Sequence, residues 1–145
     1  MLVTYTSPKM ASSQGYTISS KFTGRKAAAW QVNGESNCNH HFVTVKNNQT
    51  GAEAQFDFWT ALADKDPSTA LDKKYNLLNA VYCWITDAIS GLQSFEEFCS
   101  ELGYDTDSRK AEATWKACQT ATAQAQRVIS EDLYDFANEL AEIAA

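Results

Sequence analysis

The sequence predicts an α+β fold, with an antiparallel sheet of about three strands followed by a bundle of about four helices. Two observations lead to this prediction: residues 40–59 alternate like a β-hairpin, and residues 66–145 carry apolar side chains at helical spacing. Because the strands precede the helices, the two kinds of element are expected to form separate layers. The 145 residues suit a single domain. We divide it into a loose arm at 1–20, a β-rich part at 21–62 and a helical part at 66–145.

The clearest strand signal is the hairpin at residues 40–59. HHFVTVK is followed by NNQTG and then by AEAQFDFW, in which alanine and phenylalanine alternate with polar side chains. Such alternation is typical of a strand with one buried face, and a short connection ending in glycine fits a hairpin turn. A lone hairpin is marginal in water. We therefore expect a third strand from residues 16–32, preceded by the Ser-, Thr- and Gly-rich arm.

Helical spacing begins after the hairpin. Asp66-Pro67 has the composition of a helix start, with aspartate as cap and proline in the first turn. Apolar side chains then recur at intervals of three and four residues, which predicts a helix of about 20 residues that ends at Gly91. Its core-facing stripe is expected to contain Leu71, Tyr75, Leu78, Tyr82, Ile85 and Ile89. Leu77, Val81 and Trp84 widen this stripe, which predicts a helix buried on more than one side.

Three more helices are predicted. Ser94 and Glu97 form the capping-box pattern at the start of a short helix that ends at Gly103. The next helix is expected to start near Asp107 or Ser108, and the last near Ser130. Their inward side chains are predicted to be Phe95, Phe98, Cys99 and Leu102, then Ala111, Trp115, Cys118, Ala125 and Ile129, then Leu133, Phe136, Ala137, Leu140 and Ala141.

The composition indicates a protein of a reducing compartment. The start of the chain, MLVTYTSPKMASSQGY, has no basic segment followed by an apolar block, so we expect no secretory signal. No apolar run reaches the ~20 residues that a membrane helix needs. The expected location is therefore the cytoplasm, with Cys38, Cys83, Cys99 and Cys118 as free thiols. The last three are expected to be buried like small hydrophobic side chains.

Charge is unevenly distributed along the chain. The net charge is −6, with five basic and one acidic group in residues 1–50 and seven basic and 17 acidic groups in residues 51–145, which gives +4 and −10. The acidic part disfavours direct binding of nucleic acid, because such binding depends on neutralising phosphates. It favours a protein partner with a basic surface. The same excess of carboxylates is also typical of a surface that serves only solubility, and both interpretations stay open.

Asp105 and Asp107 form an Asp-x-Asp pair of the kind found in metal sites. An EF-hand loop counted from Asp105 would need an oxygen ligand, a glycine and a glutamate where Arg109, Lys110 and Lys116 stand. Both aspartates lie between two predicted helices, where carboxylates accept backbone N–H groups and favour the positive end of the helix dipole. Helix capping therefore explains them without a metal.

Cys38, His40 and His41 form the other group with the chemistry of metal ligands. A structural zinc site usually needs a second such pair, and no further CxxC, CxxH or HxxxH occurs. Adjacent strand residues point to opposite faces, which disfavours a Cys–His nucleophile. The sequence also has no Gly-rich phosphate loop, GxSxG or HExxH. We expect no catalytic residue, metal or cofactor, and a small zinc protein or enzyme built on these three residues remains an alternative.

Four sequence blocks carry a resemblance to a known family. They are HHFVTVKN, FDFW, LLNAVYCWITDAISG and FEEFCSELGYDTDSRKAEATWKAC. In this order they resemble a family of small uncharacterised proteins encoded by tailed phages and prophages. The resemblance runs from about His40 to the C-terminus and implies a phage or mobile-element protein that works in a bacterial cytoplasm. It implies no activity. Such small acidic phage proteins include anti-CRISPR proteins, which favours an inhibitor of a bacterial defence complex.

The partner-binding surface is expected on the acidic helices, where carboxylates would replace a line of phosphates on a basic host protein or ribonucleoprotein. The candidates are Glu96, Glu97, Glu101, Asp105, Asp107, Asp132, Asp135 and Glu139. The alternative is a nucleic-acid accessory protein that uses the basic N-terminal part, with a tryptophan stacking on bases. Its candidates are Lys21, Arg25, Lys26, Lys46, Trp30 and Trp59. No membrane or small-molecule partner is expected.

Overall fold

The computed structural model describes residues 3–5, 15–27, 37–60 and 66–144. Four strands form one sheet in the order β1-β2-β3-β4. Their bounds are β1 (Val3–Tyr5), β2 (Tyr16–Ala27), β3 (Asn37–Asn47) and β4 (Glu53–Thr60). Strands β2, β3 and β4 are antiparallel neighbours, and β1 runs parallel to β2. The predicted α+β fold with its antiparallel strands is confirmed, and β1 is an addition.

β2 starts within the segment that the sequence predicts to be a loose arm. Tyr16, Ile18 and Ser20 are buried, and the residues between them are only half buried. The third strand expected from residues 16–32 is confirmed by β2, whereas the loose arm predicted for residues 1–20 is wrong where β1 and the start of β2 occur. Hydroxyl side chains at alternate positions suit a half-buried strand as well as a loop, so composition could not separate the two. The rest of the arm, residues 6–14, lies outside the described residues.

The predicted hairpin is formed by β3 and β4. Val43 and Val45 pair with Phe56 and Ala54 and face the helices, as the alternation predicts. The turn between the strands is held by Asn47, whose Oδ1 accepts the backbone N–H groups of Gln49 and Thr50 at 3.0 and 3.2 Å. We call the side of the sheet turned away from the helices the open face.

Four helices follow the sheet, as predicted. They are α1 (Lys74–Ser90), α2 (Phe95–Leu102), α3 (Arg109–Val128) and α4 (Leu133–Ala144). None of the helices in the described part of the chain is both long enough and apolar enough to cross a membrane.

The start of α1 differs from the prediction. Pro67–Thr69 forms a single 3-10 turn, and the helix itself begins at Lys74. The Asp66 carboxylate accepts the hydroxyl of Ser68 at 3.1 Å, so the aspartate caps this turn instead of the long helix. The chain then turns again to bury Leu71, which is 3% exposed, before α1 starts.

α1 lies at the centre of the helical layer and packs against α3, α4 and the sheet. The predicted stripe is wrong for Tyr75 and Tyr82, which are 63% and 38% exposed. Spacing alone does not choose between neighbouring rows of side chains on one helix, and here the packing selects the adjacent row. The buried side chains of α1 are Leu77, Leu78, Ala80, Val81, Trp84, Ile85 and Ala88.

Gly91 ends α1 as predicted, for a different physical reason. Its φ of −69° is right-handed, so the residue is not required for a left-handed cap. A Cβ at this position would lie 2.2 Å from Thr122 Oγ1 and 2.5 Å from the backbone oxygen of Cys118. Thr122 Oγ1 also donates to the Ala88 carbonyl at 2.6 Å. Glycine is therefore needed because α1 and α3 approach closely here.

α2 and α3 begin and end largely as predicted. Ser94 Oγ accepts the N–H of Glu97 at 3.2 Å, and Ser108 Oγ accepts the N–H of Ala111 at 3.2 Å. Gly103 follows α2 with a φ of 75°, the left-handed conformation that glycine tolerates. These contacts fix the corner between the two helices.

A second, smaller core lies between α2 and α3. Phe98 and Cys99 of α2 pack with Ala111 and Cys118 of α3, which confirms their predicted inward positions. Leu102, also predicted to face inward, is 54% exposed because it is the last residue of α2. Two other predictions of burial are wrong, since Cys83 and Ala141 are exposed.

The start of α4 is capped by Asp132 and not by Ser130. Asp132 Oδ1 accepts two backbone N–H groups of the first turn at 2.9 and 3.1 Å. Ser130 is occupied elsewhere: its N–H donates to the Tyr16 hydroxyl at 2.9 Å, and its Oγ accepts from Asn47 Nδ2 at 2.6 Å. The same Asn47 nitrogen donates to the carbonyl of Val128 at 2.9 Å. The hairpin turn is thus joined to the α3–α4 connection.

Candidate functional site

Five of the eight predicted site residues lie together around α2. Glu96, Glu97, Glu101, Asp105 and Asp107 are all exposed, and we call this group the α2 corner. Glu97 Oε1 accepts the Ser94 hydroxyl at 3.1 Å, and the Glu101 carboxylate accepts the side-chain amide of Gln93. Within the described residues, none of the five forms an ion pair with a lysine or arginine. Their negative charges are therefore not neutralised internally.

The other three predicted residues have local roles in α4. Asp132 caps the helix, and Asp135 is exposed in its first turn. Glu139 is half buried, and its Oε2 is shielded from solvent with no hydrogen-bond partner among the described residues. Burial and the neighbouring Glu139 raise the pKa of Glu131 to about 7. Glu131 and Glu139 therefore form a pair of carboxyl groups near the start of α4.

The eight carboxylates do not form one surface. The α2 corner precedes α3, and the α4 carboxylates follow it, so the 20 residues of α3 separate the two groups. At 1.5 Å per residue this helix spans about 30 Å. Fields of exposed charges fade over a Debye length of about 8–10 Å at moderate salt. The predicted extension of the α2 corner by the α4 residues is therefore not supported by the geometry.

The structure does not bring Cys38, His40 and His41 together as a metal site. His41 faces the helices, where its Nε2 lies 3.0 Å from Thr60 Oγ1. His40 faces the opposite side, and its two ring nitrogens contact Thr23 and Asp57. No group of three potential metal ligands occurs within the described residues.

Thr23, His40 and Asp57 form a hydroxyl–imidazole–carboxylate chain on the open face. Thr23 Oγ1 lies 2.5 Å from His40 Nδ1, and Asp57 Oδ1 lies 2.7 Å from His40 Nε2. The same order of groups occurs in hydrolase triads. Here the imidazole is 1% exposed and lies against the rings of Phe42 and Trp59. The contacts to Thr23 and Asp57 give both ring nitrogens of this buried imidazole a hydrogen-bond partner.

The candidates for nucleic-acid contact are only partly described. Lys21 and Lys46 are exposed on the open face. Glu53 lies opposite Lys46 on the neighbouring strand, and Asp57 lies two strands from Lys21 in the same row of side chains. The side chains of Arg25 and Lys26, and the whole of Trp30, lie outside the described residues. Equal numbers of lysines and carboxylates among these four side chains give this region little attraction for phosphates.

The sequence did not predict a groove that runs beside β4. It has a volume of about 620 Å³ and lies between the edge strand β4 and the helices α1 and α3. Its floor contains Phe56 and Trp84, whose rings stack in parallel with centroids 5.0 Å apart. Trp84 is 4% exposed. We call this feature the β4 groove.

One polar group on the floor of the β4 groove lacks a partner. The Nε1 atom of Trp84 is buried with no acceptor among the described residues. The Nε1 atom of Trp59 is likewise unpartnered there, but the Trp59 ring lies on the open face beside His40. Burial raises the pKa of the Asp87 carboxyl, although part of the side chain reaches solvent. Burial and the charge of Asp87 raise the pKa of the Cys83 thiol. An unpaired buried indole N–H costs about 1–3 kcal/mol.

Comparison with known proteins adds no homologue to these observations. No protein-family model, no curated protein and no solved structure matches the chain. What the protein binds therefore has to be inferred from the chemistry of its own surfaces.

Proposed function

We propose that the protein is a non-catalytic binding protein that engages a basic surface of a partner protein through the α2 corner. The observation that carries this proposal is that five exposed carboxylates lie within one helix and the turn after it, with no lysine or arginine ion pair among the described residues. Concentrated charge of one sign steers association with a partner of the opposite sign and excludes acidic competitors.

The α2 corner also supports this role by its rigidity. Ser94 and Ser108 cap the two helices on either side, and the Phe98 ring stacks on Tyr104 with centroids 6.3 Å apart. The carboxylates are therefore presented by a fixed backbone. A preorganised surface loses less conformational entropy on binding than a mobile one.

The nature of the partner is proposed from the sequence resemblance to tailed-phage and prophage proteins. On that basis the protein is an inhibitor of a bacterial defence complex, of the anti-CRISPR type, that acts in the host cytoplasm. The carboxylates of the α2 corner would occupy basic side chains that otherwise hold nucleic-acid phosphates. Such competition weakens as salt rises, because exposed charges are screened.

The test is phage plating on bacteria that carry defined defence systems and express the protein. The informative variant is Glu96→Lys with Glu101→Lys, which reverses the α2 corner but leaves the Glu97 cap contact intact. The matched control is Asp72→Lys with Glu142→Lys, an equal change in net charge at two exposed sites outside the corner. Like charges across an interface cost several kcal/mol, so we expect the first variant to lose at least about tenfold in protection.

Equal protection by the two variants would reject the α2 corner as the binding surface. Failure of the wild-type protein to restore plating against every defence system tried would reject the inhibitor role. Far-UV circular dichroism and an unfolding curve for each variant separate loss of contact from loss of fold.

A further inference from the structure

The outer edge of β4 carries backbone groups that no described residue uses. Asn47 N–H donates to the Ala52 carbonyl at 2.8 Å, which fixes which β4 residues bond to β3. Since hydrogen-bonded positions alternate along an antiparallel pair, the N–H and C=O groups of Gln55, Asp57 and Trp59 point away from β3. No hydrogen bond to these groups occurs within the described residues. All three residues line the β4 groove.

Among the described residues, a side chain covers one end of this edge. Arg127 of α3 donates to the Glu53 carbonyl at 2.6 Å, which is the first outward carbonyl of β4. Proteins usually protect exposed strand edges by charge, bulges or a covering element, because an open edge accepts further strands. Here Arg127 blocks extension past Glu53, and the rest of the edge opens into the groove. A segment that pairs with β4 is thereby limited to the stretch from Gln55 to Thr60.

The side chains of the β4 groove specify a ligand rich in carbonyl groups. The unpartnered indole N–H group of Trp84 is a donor only, and a peptide backbone supplies acceptors at regular intervals. Trp84 is also more than nine-tenths buried, so a peptide carbonyl reaches this donor when the groove wall moves on binding. The parallel stack of Trp84 on Phe56 offers an apolar floor for alternate side chains of an extended strand.

The charge of the β4 groove selects the sign of the ligand. Asp87 is the charged side chain of its helical wall, and no lysine or arginine among the described residues lines it. Asp57 lines it from β4, with its carboxylate bonded to His40 on the open face. Asp87 lies in the last turn of α1, where the helix dipole also favours a cation. Burial raises the pKa of Asp87, which is the response of a carboxylate that has lost water without gaining a cationic partner.

We propose that the β4 groove binds an extended segment of a partner protein, which adds as a strand to β4 and places a lysine or arginine side chain beside Asp87. A second copy of this chain fits poorly, because β4 itself, EAQFDFWT, carries Glu53 and Asp57 and no basic residue. The β4 groove is a surface separate from the α2 corner, so the inference goes beyond the function proposed above.

The experiment is an NMR titration of the full-length, ¹⁵N-labelled protein with two capped peptides, Val-Lys-Val-Lys-Val and Val-Glu-Val-Glu-Val. With the lysine peptide we expect downfield shifts of the amide protons of Gln55, Asp57 and Trp59, as new hydrogen bonds form. The indole N–H signal of Trp84 should move with them. We expect a Kd of about 1 mM or tighter for this unoptimised peptide, and no saturable shift with the glutamate peptide.

Three variants sharpen the test. Asp87→Asn should weaken the lysine peptide about tenfold, the loss expected when a charge-assisted hydrogen bond becomes neutral. Gln55→Pro removes an outward N–H and should abolish binding, whereas its matched control Glu53→Pro, outside the groove, should not. Trp84→Phe keeps the ring stack but removes the orphan donor, so it should weaken the peptide while leaving the unfolding midpoint equal or higher.

The proposal is overturned if the lysine peptide leaves the β4 amides unmoved, or if both peptides shift them equally. It is also overturned if those amides shift with protein concentration alone, which would identify a second copy as the occupant. The double reversal at Glu96 and Glu101 should not change peptide binding. The peptide titration therefore tests the proposal for the β4 groove, and phage plating tests the proposal for the α2 corner, independently of each other.

Discussion

Replacement of Gly91 by alanine tests whether close approach of α1 and α3 determines the stability of the helical layer. The added Cβ would meet Thr122 Oγ1 at 2.2 Å and the Cys118 carbonyl oxygen and carbon at 2.5 and 2.6 Å. Comfortable contacts of a carbon atom lie near 3.5 Å, so α3 has to retreat by about 1 Å. That movement stretches the buried bond from Thr122 to the Ala88 carbonyl, now 2.6 Å.

The expected cost follows from these contacts. Overpacking costs about 1–3 kcal/mol, and weakening a buried hydrogen bond adds about 1–2 kcal/mol. Because the right-handed backbone at Gly91 gains about 1 kcal/mol from alanine, we expect a net loss of about 1–4 kcal/mol. Gly103→Ala is the control: its φ is 75° and no atom lies within 4 Å of the added Cβ, so strain alone should cost about 1 kcal/mol.

The assay is urea unfolding followed by far-UV circular dichroism. A loss for Gly91→Ala no larger than for Gly103→Ala would refute the steric reasoning. The double variant Gly91→Ala with Thr122→Ala gives a second check. It removes the nearest contact but leaves the Cys118 backbone in place, so we expect no full recovery of the free energy of unfolding.

Three further predictions concern titration, the buried histidine and the thiols. Because the pKa of Glu131 is about 7 when folded against 4.5 ordinarily, the folded protein binds the extra proton between these values, so stability falls as pH rises from about 4.5 to about 7. The free energy of unfolding from urea denaturation should fall by about 1 kcal/mol over this pH range, since solvent screens a partly exposed group. The fall should be absent in Glu131→Gln, and a wild-type free energy of unfolding that does not change with pH would contradict the prediction. His40→Ala should lower the free energy of unfolding in urea by about 2–4 kcal/mol. Thr23→Ala should leave any hydrolysis of 4-nitrophenyl acetate unchanged. Loss of hydrolysis in Thr23→Ala would indicate that the Thr23–His40–Asp57 chain is catalytic. Iodoacetamide should label exposed Cys83 before buried Cys99. Cys83 should still react more slowly than free cysteine, because its pKa is raised. Labelling of Cys99 before Cys83 would contradict the exposed position of Cys83.

The elements that could be predicted from the sequence are those set by local patterns. The alternation in AEAQFDFW defines both a strand and its buried face, and Ser94, Gly103 and Ser108 act within a few residues of themselves. β1 has three residues and gains its identity only by parallel pairing with β2, which no local pattern encodes.

Other features depended on contacts between distant residues. Ser130 and Asp132 are equally good caps by residue type. Asp132 caps α4 because Ser130 is hydrogen-bonded to Asn47 and Tyr16, which lie over 80 residues away in the chain. The β4 groove likewise joins an edge strand to two helices. The exposed position of the α2 corner was predictable from helical spacing, but its separation from the α4 carboxylates required the course of α3.

The hydrogen bonds of Asn47 have a consequence for how the molecule opens. One side chain holds the turn amides of Gln49 and Thr50 through its oxygen, and the carbonyl of Val128 and the hydroxyl of Ser130 through its nitrogen. Release of the β3–β4 turn therefore also releases the exit of α3. Hydrogen exchange should consequently report one cooperative unit there, with the amides of a surface turn as slow as those of the helix to which it is tied.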